Sequence, residues 1–197
     1  MSQAKIETLS SVVLTPLDEV RSALLVLSFS LLTALSAQVA VPLPFTPVPM
    51  TGQTFAVLLT GALLGSRLGA LAMIAYLAEG AAGLPVFQSG HGGIHYLLLS
   101  PTSGYLLSYP AAAFVTGWLA ERGWDRRFLS AVAALALGNA LILLCGWSWF
   151  AVWSGSPAQA FSLSVAPFVV GDAAKITLAA AALPLAWSAL GRRKAEG

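Results

Sequence analysis

Between Val165 and Leu190 the chain carries no charge except Asp172 and Lys175. The run is longer than the ~20 predominantly apolar residues that take a helix across a bilayer, so it reads as a membrane span. An Asp or Lys within such a helix costs about 2.5–3.5 kcal/mol on insertion scales and is kept only where something compensates. Residues three apart share a helix face, with Cβ atoms about 5–6 Å apart. The carboxylate and the ammonium can therefore point together into a bundle interior. An ion pair that merely neutralises itself is the bland reading, but an intramembrane ionisable pair marks a functional site by default.

Composition makes this run one of several. The 197 residues are 57% hydrophobic and 9% charged, against about 25% charged in soluble domains. The expected class is an all-α membrane protein whose residues 1–197 form one integral domain surrounded by lipid. A net charge of +2 is too small to imply a nucleic-acid partner. The one cysteine, Cys145, excludes an intrachain disulfide and reads as packing.

Six spans are expected. The polar N-terminal tail, with Lys5, Glu7, Asp18, Glu19 and Arg21, reads as a short cytoplasmic tail or interfacial helix. The first span, 22–41, is too long for the apolar region of a signal peptide. Pro42, Pro44, Pro47 and Pro49 then forbid a helix and predict an extended loop. Spans at 51–65 and 68–83 flank a tight turn at Arg67, and Leu84–Ser103 is hydrophobic but broken by Gly and Pro, a loop dipping back toward the bundle. Spans at 104–120, 128–153 and 165–190 complete the set. No internal repeat is visible, which weighs against inverted-repeat transporters.

Nine of the ten Lys and Arg, all except Lys175, fall in the N-terminal tail, the Arg67 turn, the Glu121–Arg127 loop and the C-terminal Arg192-Arg193-Lys194. This positive-inside pattern puts both termini in the cytoplasm. Trp147, Trp149 and Trp153 then fit an aromatic belt at the outer end of the fifth span. On this topology Asp172 lies about seven residues, or roughly 11 Å, below the outer start of the sixth span. The pair would sit under uncharged outward loops, in a pocket suited to a small, mainly apolar ligand with a few polar atoms.

Enzyme chemistry finds little support. There is no Gly-x-x-x-x-Gly-Lys-Ser/Thr phosphate loop and no Gly-x-Ser-x-Gly elbow. His91 and His95 have the spacing of a helical metal pair, but Gly92-Gly93 between them argues against a helix, and no metal site or cofactor is expected.

Four motifs in order carry a family resemblance: Pro44-x-x-Pro47-Val48-Pro49-Met50-Thr51-x-Gln53-Thr54, Gly83-Leu84-Pro85-Val86-Phe87, Pro101-Thr102-Ser103-Gly104-Tyr105-Leu106 and Gly171-Asp172-x-x-Lys175. Together they resemble the BioY family, the biotin-capturing S components of energy-coupling factor (ECF) transporters. The resemblance implies a six-helix S-component bundle in the bacterial cell (inner) membrane, with an outward-facing biotin pocket. It also implies a transmembrane T component and two ABC-type ATPases as partners, and a transporter subunit rather than an enzyme. Ser100-Pro101-Thr102-Ser103-Gly104-Tyr105 departs from the family's usual Gly-Pro-Thr-Gly-Gly-Tyr. The small-residue face that such components pack on the T component maps to Ser30 and Ala34.

Biotin has two ureido N–H donors, a carbonyl acceptor, an apolar bicycle and chain, and a carboxylate. Asp172 is expected to accept from a ureido N–H. Lys175 is expected to serve either the ureido carbonyl or the carboxylate. Gln88 is a further polar candidate, Tyr105 and Phe87 are candidate walls, and Glu79 reads as a rim or snorkelling carboxylate. An S component for thiamin or riboflavin is the near alternative, and an intramembrane enzyme the distant one.

Overall fold

The computed structural model describes residues 8–14 and 18–196; Lys5 and Glu7 lie outside them. In chain order come α1 (Leu9–Leu14), α2 (Glu19–Gln38), β1 (Ala40–Leu43), β2 (Thr46–Thr51), α3 (Gln53–Leu64), α4 (Ser66–Ala81), α5 (Ile94–Leu99), α6 (Ser103–Ala120), α7 (Phe128–Ser154), α8 (Pro157–Ser164) and α9 (Val169–Glu196). Among the described residues, Glu19–Gln38, Phe128–Ser154 and Val169–Ala189 are long and apolar enough to cross a membrane; Gln53–Leu64 is a shorter apolar helix. Asp18 caps α2, its Oδ1 accepting the Arg21 N–H at 2.7 Å.

Three expectations are corrected. The Pro-rich stretch, expected as an extended loop, forms an antiparallel hairpin that pairs Ala40 with Thr51, Val41 with Met50 and Leu43 with Thr46. Proline lacks a ladder donor, yet in a two-stranded ribbon each strand has a free edge where none is needed. The segment 84–103 is also partly ordered, with a single 3-10 turn at Gln88–Gly90 and the short helix α5. The last helix starts at Val169 rather than Val165, because residues 165–168, which include Pro167, form a turn. Asp172 therefore stands in the first turn of α9, where the helix dipole favours a carboxylate.

Small residues let the helices approach closely. A Cβ on Gly61 of α3 would lie 2.3 Å from the Ala113 carbonyl oxygen of α6. Gly65, at φ +85°, breaks the chain between α3 and α4 where a tight turn was expected, and leaves Arg67 exposed.

The charged turns gather at one end of the bundle. Glu121 Oε1 accepts from the Ser66 backbone N–H at 2.8 Å and from its hydroxyl at 2.9 Å, which satisfies donors at the start of α4. In the turn after α6, Asp125 accepts from Trp187 Nε1 of α9 at 2.5 Å, and the Arg126 guanidinium lies 4.6 Å from the Trp187 ring. Asp125 is 1% exposed and its Oδ1 has no partner among the described residues.

Burial raises the Asp125 carboxyl above its usual range, against the opposing pull of the Trp187 N–H and of Arg126. The fold thus favours the neutral acid. The stability this gives is complete below the unfolded value of about 3.9 and is lost as pH rises through the higher folded value. Asp125→Asn keeps the acceptor for Trp187 without the buried charge. Differential scanning fluorimetry in detergent should show this variant melting about 2–4 °C above the parent at pH 7.5, with the difference gone near pH 4.

Candidate functional site

At the opposite end, β2, α3, the 87–88 segment, α6, α7 and α9 surround a cavity with about 480 Å³ of empty space, part of it open to solvent. Its walls include Val48, Pro49, Phe87, Tyr105, Tyr109 and Phe168, and its polar groups include Thr54, Gln88, Asp172 and Lys175. All five residues singled out as substrate-binding (Asp172, Lys175, Gln88, Tyr105 and Phe87) line this one cavity.

The charged pair is the centre of a closed network. Lys175 Nζ donates to the Thr51 carbonyl at 2.8 Å, to Thr54 Oγ1 at 3.0 Å and to Asp172 Oδ1 at 3.1 Å. An ammonium has three protons, so all are engaged. Asp172, 4% exposed, also accepts from Thr54 Oγ1 at 3.4 Å and, on Oδ2, from Asn139 Nδ2 of α7 at 3.1 Å. A carboxylate is an acceptor only, which fixes the Asn139 amide orientation. The arrangement compensates both charges and ties the hairpin end to α9.

Asn139 and Thr54 were not singled out as site residues from sequence. Asn139 had a signal, an isolated amide in the apolar run 128–153; Thr54 lay inside a quoted motif without an assigned role.

Gln88 donates through Nε2 to the Tyr96 hydroxyl at 2.8 Å. Phe87 is fully buried, edge-on to Tyr76 with ring centroids 5.6 Å apart and stacked on Tyr96 at 5.8 Å. It fits because α4 carries Gly80, where a Cβ would lie 2.1 Å from the Phe87 ring. Tyr76 holds the same segment by donating to the Val86 carbonyl at 3.0 Å while accepting from Gln53 Nε2 at 2.6 Å. Gln38 adds a third tie, from Nε2 to the Phe87 carbonyl at 3.2 Å. The Tyr105 hydroxyl donates to the Ser164 carbonyl, and its ring lies 6.4 Å from that of Phe168.

His91 stacks on Tyr96 at 4.6 Å, and its Nδ1 lies 2.7 Å from the Gln88 carbonyl. His91 and His95 form no metal cluster with other ligand-type residues among those described.

Ser30 and Ala34 are corrected. They lie on the inner face of α2, 0% and 6% exposed, and the Ser30 hydroxyl donates to Glu79 Oε2 of α4 at 2.6 Å. Glu79, half-buried, is thus a hydrogen-bond partner of α2. The free ridge of α2 is made by Leu24, Leu27, Leu31 and Leu35, each more than half exposed. The spacing hid this, because small residues at i and i+4 mark a close contact without saying with which helix.

Known proteins resemble this chain in both sequence and fold. It is 41% identical over 155 residues to the probable biotin transporter BioY of Pyrococcus horikoshii, covering 79% of this chain and 89% of that one. It is 37% identical over 163 residues to the biotin transporter BioY of Rhodobacter capsulatus, covering 76% and 83%. The fold matches the crystal structure of an S-component for biotin from an ECF-type ABC transporter with a TM-score of 0.75, at 24% identity, over 84% of this chain and 90% of that one. The sequence model of the BioY family matches residues 4–192, and with four motifs converging on one cavity, the chain belongs to the BioY family.

Proposed function

We propose that this protein captures biotin at the outer face of the bacterial cell membrane and delivers it inward as the substrate-binding S component of an ECF transporter. The observation that carries this reading is the single cavity in which a compensated Asp172–Lys175 pair meets aromatic and apolar walls. The apolar bicycle and chain of biotin suit those walls, and Asp172 Oδ2 and Oδ1 offer acceptors for the ureido N–H groups. Gln88 and Phe87 add to the lining, together with Val48, Pro49 and Thr51 of the hairpin. Biotin is the transported ligand, and no cofactor is involved.

In the same reading the chain is a single domain with six spans, α2, α3, α4, α6, α7 and α9. The end that holds Arg67 and the Glu121–Arg127 turn faces the cytoplasm, together with both termini. A transmembrane T component and two ABC-type ATPases supply the energy, since the chain has no phosphate loop of its own. The T component docks on the exposed leucine ridge of α2 rather than on Ser30 and Ala34.

Mass spectrometry of the small molecule released when the purified protein is denatured tests the ligand. Unaltered biotin in stoichiometric amount is expected; thiamin, riboflavin or a chemically altered product would replace this reading. Orientation has its own test in a Cys145→Ser background. A cysteine at Ser89 should react with an impermeant maleimide in intact cells and one at Arg67 should not, and the reverse pattern would invert the topology.

A further inference from the structure

We infer that the Tyr109 hydroxyl is the hydrogen-bond donor to the ureido carbonyl of the ligand, and that Lys175 acts by positioning Asp172 and the hairpin. The inference rests on the biotin reading of this cavity. Tyr109 is 2% exposed and lines the cavity, with its ring stacked on Tyr76 at a centroid distance of 6.4 Å.

The other hydroxyl and ammonium donors of the wall are already engaged. Lys175 spends its protons on Thr51, Thr54 and Asp172. Tyr105 donates to Ser164, Thr54 to Asp172, Thr51 to Gln53, and Thr102 shares a hydrogen bond with Ser100. The Tyr109 hydroxyl alone among them has no partner in the described residues. A phenol that lines the cavity with its proton unengaged is placed to donate to a ligand acceptor there.

Position selects which acceptor. α6 and α9 both run from the cavity end toward the basic end, where Glu121 and Trp187 make their contacts. Tyr105 lies against Phe168. Four residues further along each chain, about 6 Å of helical rise, stand Tyr109 and Asp172. A donor and an acceptor thus reach one level of the cavity from facing helices. A ureido ring presents its carbonyl flanked by N–H groups, so the group beside an Asp172-bound N–H is an acceptor in need of a donor.

Isothermal titration of the purified full chain with biotin and with 2-thiobiotin, whose C=S is a weak acceptor, tests this. The parent should prefer biotin by about tenfold or more. Tyr109→Phe keeps the ring on Tyr76 and should weaken biotin about tenfold, with little change for 2-thiobiotin, so that the preference collapses. An unchanged biotin affinity in Tyr109→Phe, or an equal loss for both ligands, would overturn the assignment. So would a collapse of preference in Lys175→Met alone. The parent needs no variant to fold, and absence of preference in it refutes the inference by itself. Failure of the parent to bind biotin at all would instead refute the functional reading on which the inference stands.

Discussion

Lys175→Met is expected to lose at least a hundredfold in biotin affinity at pH 7.5 and to melt well below the parent. Removing the ammonium takes one partner from a carboxylate that is 4% exposed, and breaking a buried pair from one side costs about 3–5 kcal/mol. It also frees the Thr51 carbonyl, which loses the 2.8 Å bond that tethers the hairpin to α9. Asp172→Asn/Lys175→Met removes both charges and should regain much of the thermal stability. Biotin binding should stay weak, because Asn139 and Thr54 then face an amide where a carboxylate had accepted their protons. Titration calorimetry and melting curves on the parent, the single variant and the double variant separate the two roles. Near-native affinity in a well-folded double variant would reduce the pair to scaffolding and remove Asp172 from the site.

Gly146→Val should weaken both the bundle and the site. A Cβ at this position on α7 would lie 2.3 Å from the Tyr105 ring, well inside contact distance, so the aromatic ring has to move. Overpacking of this kind costs about 1–3 kcal/mol, and a melting temperature lower by about 5 °C or more is expected. The displaced ring also loses its bond to the Ser164 carbonyl and its support from Phe168. The ring lines the cavity, so biotin affinity should fall about tenfold or more. Leu144→Ala, on the face of α7 where that leucine is 58% exposed, serves as the control and should leave affinity unchanged. A Gly146→Val protein with parental affinity would show that Tyr105 does not shape the binding wall.

How much of this was legible beforehand differs by feature. The hairpin was visible only as an absence of helix, since Pro42, Pro44, Pro47 and Pro49 rule out helical hydrogen bonding without naming the strand partner. The start of the last helix was misplaced because Val165 to Val170 is as apolar as the helix that follows, and apolarity alone does not distinguish a buried turn from a span. Tyr109 was overlooked because one phenol in an apolar helix reads as packing until its neighbours are known to leave the hydroxyl without a partner.

Alone, the sequence determined the membrane class, the segregation of basic residues to one set of turns and the pairing of Asp172 with Lys175. Each is a one-dimensional property: apolar run length, charge placement between runs, and i, i+3 spacing on one helix. Tertiary structure alone decided that Asn139 and Thr54 complete that pair, that Ser30 and Ala34 turn inward onto α4, and that Phe87 and Tyr105 share a cavity with the charges. Those are contacts between residues up to 121 positions apart, as for Thr54 and Lys175. They depend on how closely glycine-lined helices approach and which faces they turn to one another, and no periodicity along a single helix encodes the identity of its neighbour.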